Sequence, residues 1–188
     1  MNTTLAERVL PMNNAVLRNI LLAVAGSLVV AAAAQVTVPL PVVPLTLQTM
    51  AVLAIGAAYG ARLGAATLAL YAVEGAAGLP VFAEMKAGVA VIAGPTGGYI
   101  IGFILAAALV GYLAERNWDR SLPKMFVAAL LGAVVLYIPG LIWLHQFANG
   151  WPQTMEWGLT PFVYGDLVKA ALVALGFKGA WNLLGTKA

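Results

Sequence analysis

Asp166 and Lys169 stand three residues apart in an otherwise apolar stretch, a spacing that puts both on one helix face and lets carboxylate meet ammonium. If that helix starts near Thr160 and runs inward through a membrane, a rise of 1.5 Å per residue sinks them about 9 and 13 Å below the outer surface. Glu74, twelve residues beyond Arg62, climbs about 18 Å from the inner side to a similar level. A charge at the bilayer centre costs on the order of 2.5–3.5 kcal/mol on insertion scales, so all three must face a cavity or one another. Ligand binding, a packed ion pair and an ion relay each fit such a set. A second group is Gly94-Pro95-Thr96-Gly97-Gly98-Tyr99, where Thr96 can cap a helix and the glycines let an anion approach N–H groups at its partly positive end. An ordinary helix start fits the same spacing, and the Gly-Lys-Ser/Thr ending of a nucleotide phosphate loop is missing. Thr46, Gln48 and Thr49, with Phe82, Glu84 and Lys86, add polar and aromatic groups on the same predicted side. Tyr164 and Tyr137 offer rings with a polar tip.

Other chemistries are excluded by what is missing. Cysteine is absent and His145 is the sole histidine, which leaves neither a thiolate nor a multi-histidine metal centre. The two serines, Ser27 and Ser121, lie far from His145 and outside any Gly-x-Ser-Gly setting, so no catalytic residue is assigned and the chain is expected not to be an enzyme. A net charge of +3 spread over loops gives no patch for nucleic acid.

The elements that position these groups must be lipid-embedded helices, because 62% of the 188 residues are hydrophobic and only 9% charged. A bilayer core of roughly 30 Å needs about 20 helical residues per crossing. Residues 19 to 61 carry no charge, too long a run for one helix, and Pro39, Pro41 and Pro44 divide it. The predicted fold is all-α and integral to the membrane: one domain over residues 1–188, a bundle of six transmembrane helices at about 19–37, 45–59, 63–78, 96–113, 125–147 and 160–176. The start MNTTLAERVLPMNNAVLR has no signal-peptide pattern, so the first helix is expected to remain. With both termini cytoplasmic, Arg8, Arg18, Arg62, Arg116, Arg120, Lys124, Lys178 and Lys187 all fall inside, and Lys86 is the one basic residue in an external loop. Ala23, Ser27 and Ala31 align small side chains on one face of the first crossing, either for packing within the bundle or for docking a partner subunit.

The run VPLPVVPLTLQTMAVLAIGAAYGARLGAATLALYAVEGAAGLPVFA, the block GPTGGYIIGF and the late PFVYGDLVKAALV, in order over residues 38 to about 173, resemble the BioY family of biotin-specific substrate-binding components of energy-coupling-factor (ECF) transporters. The resemblance implies a multi-pass protein of the prokaryotic cytoplasmic membrane that binds biotin near the outer surface. It also implies partners, a transmembrane energising subunit with paired ATPases, and no cofactor of its own, since ATP is hydrolysed only by those partners. Carried over residue by residue, Asp166 and Lys169 match the family's ligand contacts in GDLVK. Gly94, Thr96, Gly97, Gly98 and Tyr99, and the loop from Phe82 to Glu84, match positions lining its pocket. Two departures stand out: Glu74 occupies a segment the family keeps apolar, and Ala23-Ser27-Ala31 replaces an Ala-x-x-x-Ala docking motif. On this resemblance Asp166 would accept from the ureido N–H groups, and Lys169 or the fourth helix N-terminus would hold the carboxylate. Tyr164, Tyr99 and Phe82 would bury the bicycle, and the proline-rich loop would act as a lid. The competing reading is a secondary transporter or channel in which Glu74, Asp166 and Lys169 relay ions.

Overall fold

The computed structural model describes residues 4–185, so Lys187 lies outside the described residues. A short helix α1 (Leu5–Val9) is closed by a capping box in which Thr4 and Glu7 bond each other's backbone. The first long helix, α2 (Ala15–Gln35), begins where the Asn14 side chain accepts from the Leu17 N–H. Its end is set by the proline loop, which folds as a hairpin: β1 (Thr37–Val38) pairs antiparallel with β2 (Leu45–Thr46). Helices α3 (Gln48–Tyr59) and α4 (Ala61–Ala76) meet at Gly60, whose φ of +83° reverses the chain where a side chain would be strained. The Ala61 N–H at the start of α4 donates to the Glu115 carboxylate at 2.9 Å, a cap supplied from another helix. A 3-10 turn (Ala83–Met85) and α5 (Val89–Ala93) precede α6 (Gly97–Ala114). After a second 3-10 turn at Trp118–Arg120 come α7 (Leu122–Leu144), α8 (Trp151–Gly158) and α9 (Val163–Leu183).

Three of these helices, α2, α6 and α7 with its 3-10 extension to Phe147, are long and apolar enough to cross a bilayer, and α8 with α9 makes a fourth segment bent by 42°. The chain is a multi-pass membrane protein. Helix α3 is shorter than the expected crossing: the hairpin consumes residues 37–46, leaving 12 helical residues, about 18 Å. Residues 151–158, expected as loop, form α8, with Pro152 in its first turn, Trp151 exposed and Thr154 buried.

Helix α6 occupies the centre, against α3, α4 and α7. Its close approach to neighbours depends on glycine. A Cβ on Gly102 would lie 2.4 Å from the Leu136 carbonyl oxygen of α7, and one on Gly56 of α3 would lie 2.6 Å from the Ala107 carbonyl of α6. At one end of the bundle Arg18, Arg62 and Arg116 line a cavity of about 770 Å³. Near the arginine-bearing end of α6, the Trp181 Nε1–H donates to the Asp119 carboxylate at 2.7 Å, tying α9 to the loop before α7. Burial lifts the Asp119 carboxyl above its ordinary value, while the Trp181 hydrogen bond and the Arg120 charge favour its ionised form.

The small-residue stripe of α2 turns inward, as packing within the bundle requires. Ser27 is fully buried, Ala23 and Ala31 are partly so, and the Ser27 hydroxyl lies 3.1 Å from a Glu74 carboxylate oxygen on α4. The exposed face of α2 carries Val16, Ile20, Val24 and Leu28 instead.

Candidate functional site

At the end of the bundle where α3 and α6 begin and α4 ends, several parts of the chain enclose a cavity of about 330 Å³, near the lower end of the roughly 300–1,000 Å³ typical of small-molecule sites. The hairpin contributes Val42, Val43 and Pro44 from the loop between its two strands, where the prolines prevent helix. The first turn of α3 brings in Gln48 and Thr49, and α4 brings Tyr71. From the connection after α4 come Phe82, Ala83 and Lys86, followed by Gly94, Pro95 and Thr96 at the approach to α6. Tyr99, Ile100 and Phe103 of α6, Leu136 and Tyr137 of α7, and Phe162 complete an aromatic and aliphatic wall.

The polar groups in this wall are fixed by one another. Gln48 is buried, and its amide N–H donates to the Tyr71 hydroxyl at 2.7 Å, which in turn donates to the Val81 carbonyl at 3.0 Å. The Gln48 carbonyl oxygen accepts from the Thr46 hydroxyl at 3.3 Å, which leaves Gln48 with a second amide hydrogen and one further lone pair for a ligand. Phe82 packs edge-on to Tyr71 with ring centroids 5.6 Å apart, and its ring fills the space that a side chain at Gly75 would need. Tyr99 donates to the Gly158 carbonyl at 2.9 Å, so α8 fixes the orientation of a ring in the wall.

Asp166 and Lys169 do not line the cavity; they stand directly behind it, each 6% exposed. Lys169 Nζ donates to Asp166 Oδ1 at 3.0 Å and to the Thr49 hydroxyl at 3.1 Å, and the Tyr137 hydroxyl donates to Asp166 Oδ2. Both partners outside the pair, Thr49 and Tyr137, are wall residues. The ion pair therefore braces α3 and α7 against α9 from behind the wall.

Of the other expected site residues, Gln48, Phe82, Gly94, Thr96 and Tyr99 lie on the wall. Tyr164 does not: it is 81% exposed on the outer face of α9. Glu84 is off the wall and pairs with Lys86 at 2.6 Å. Thr96 makes no side-chain cap, and Gly97 and Gly98 serve backbone packing rather than ligand approach. A Cβ on Gly97 would fall 1.7 Å from the Ile92 carbonyl oxygen, and one on Gly98 would fall 2.3 Å from that of Pro139. Glu74 sits apart, on Ser27 of α2, with its second oxygen buried and unpartnered. Its hydrogen bond goes to Ser27, whereas Asp166 and Lys169 bond each other, Tyr137 and Thr49, so the components of an ion relay are not assembled. Tyr71 and Phe162 were missed because an aromatic in an apolar helix reads as packing. Lys86, expected with Phe82 and Glu84 in the outer connection, lies on the wall.

Comparison with known proteins gives a consistent picture. The model described as "BioY family" matches residues 2–186. "Biotin transporter BioY" of Thermotoga maritima is 38% identical over 148 residues, 77% of this chain and 86% of that protein. "Biotin transporter BioY2" of Lactococcus lactis is 31% identical over 87% of this chain and 90% of its own length. "Probable biotin transporter BioY" of Pyrococcus horikoshii is 39% identical over 76% of this chain and 83% of its own. Among solved structures, the S-component for biotin from an ECF-type ABC transporter superposes with a TM-score of 0.79 at 23% identity, covering 91% of this chain and 94% of that one; the likeness is one of fold.

Proposed function

Since this chain belongs to the BioY family, we propose that it binds biotin in the cavity beneath the hairpin and serves as the substrate-binding component for biotin uptake. The observation that carries the reading is the enclosed wall of Phe82, Tyr99, Ile100 and Phe103 interrupted by one buried primary amide, Gln48. Biotin has an apolar bicycle, a ureido group with two N–H donors and one carbonyl, and a carboxylate tail. A carboxamide offers a donor and an acceptor side by side, which complements the ureido edge, while the aromatic wall takes the bicycle. Val42, Val43 and Pro44 close over the site as a lid.

The finer placement follows from charge. With the arginine-lined end in the cytoplasm of a prokaryotic cell, the cavity opens outward, and α3 and α4 act as short crossings that make the total six. No room exists in a bundle of this size for an ATPase, so uptake draws on a transmembrane energising subunit and paired ATPases, and the chain itself catalyses nothing. The ion-relay alternative is disfavoured because Glu74 is engaged on α2, away from the Asp166–Lys169 pair.

Native mass spectrometry of the chain purified in detergent tests the reading. We expect a complex with about one biotin per chain after addition of the vitamin. Ligand-free protein at saturating biotin, with the fold intact, would rule it out.

A further inference from the structure

Lys86 is the only charged side chain on the cavity wall among the described residues. It is also the one basic residue that the inside-positive sorting places in an external loop, a position that topology alone does not call for. Its backbone is held firmly. The Gln35 side chain at the end of α2 donates to the Phe82 carbonyl and accepts from the Met85 N–H, both at 3.0 Å, while the Phe82 N–H donates to the Lys86 carbonyl at 3.1 Å. Within this clamp Glu84 and Met85 adopt φ of +61° and +57°, the left-handed region that side chains enter at a cost. A turn held in that conformation by two side-chain hydrogen bonds fixes where Lys86 stands. Its Nζ lies 2.6 Å from the Glu84 carboxylate, and both side chains are partly open, 58% and 38% exposed.

We propose that Lys86 receives the ligand's carboxylate at the mouth of the cavity, and that Glu84 is the internal carboxylate which the ligand displaces. This rests on the biotin reading above and deepens it. An apolar chamber with a buried amide at one side and a single cation at its rim suits a ligand that is neutral and polar at one end and anionic at the other. The incoming carboxylate replaces Glu84 on the same ammonium, so the ammonium never loses an anionic partner, and Glu84, already partly exposed, returns to water. The exchange makes Lys86 a specificity residue: it favours the free acid over esters and amides of the same vitamin. It separates two tasks that the Asp166–Lys169 pair had been expected to share. That pair braces the wall from behind, while the carboxylate is met at the rim.

The test compares biotin with biotin methyl ester by calorimetric titration of wild type, Lys86→Gln and Glu84→Gln. Lys86→Gln should weaken biotin about tenfold while leaving the ester within about twofold, and Glu84→Gln should strengthen biotin about threefold by removing the competitor. Retained ester binding also shows that each variant is folded. Equal losses for acid and ester, or no loss for either, overturn the assignment to Lys86 while leaving the biotin site in place. An unchanged or weakened biotin affinity in Glu84→Gln overturns the displacement. Wild type that binds neither compound overturns the biotin reading itself, a result distinct from the other two.

Discussion

Replacing Lys169 with Met should destabilise the folded chain by about 3–5 kcal/mol, because it strands the Asp166 carboxylate in an environment where it is only 6% exposed. The Tyr137 hydroxyl would be its remaining side-chain partner. Adding Asp166→Leu removes the orphan charge and should restore most of the lost stability, since a buried ion pair and a well-packed apolar pair are close in free energy. Binding should respond differently. In the double variant the Thr49 and Tyr137 hydroxyls both lose the groups that hold them, so the wall they belong to relaxes, and biotin affinity should stay at least about tenfold below wild type. Thermal unfolding in detergent measures the first effect and calorimetry the second. Full recovery of both in the double variant would show that the pair only fills space.

The second large effect is on recognition. Gln48→Leu keeps side-chain size while removing the one buried amide of the wall, and biotin affinity should fall about 100-fold, close to 2.7 kcal/mol. The loss is this large because the ureido group would be desolvated without partners. Tyr71 keeps its bond to the Val81 carbonyl, so the surrounding structure should stand and the melting temperature should change little. Wild-type affinity in Gln48→Leu would place the polar end of the ligand elsewhere in the cavity.

What the sequence disclosed and what it hid have physical reasons. Prolines cannot continue a helix, and charges are costly in lipid, so Pro39, Pro41, Pro44 and the flanking arginines marked the helix ends well. The spacing of Asp166 and Lys169 gave their mutual contact, found at 3.0 Å. Periodicity also held a warning about Tyr164: two residues before Asp166, at about 100° per residue, it points to the opposite side of α9, where it is exposed. The glycines at 97 and 98 announced a close approach, yet glycine does not say to what; here it is backbone rather than ligand. The same holds for Ala23, Ser27 and Ala31, whose neighbour is α4. Lys86 was legible as a cation of an outer loop, but its place on the cavity rim was not. A loop lysine carries no periodicity, and only the clamp from Gln35, 50 residues away from Met85 in sequence, brings it to the rim.

The central claim, that the cavity beneath the hairpin holds biotin, is tested most directly by titrating the purified chain in lipid nanodiscs beside an Ala90→Trp variant. Ala90 lines the cavity from α5 yet is exposed, so an indole there should fill the chamber without disturbing the helix packing. Wild type should bind about one biotin per chain, and the filled variant should show no saturable heat while retaining the wild-type melting temperature. Wild-type binding in Ala90→Trp would contradict the account and move the vitamin to another part of the molecule.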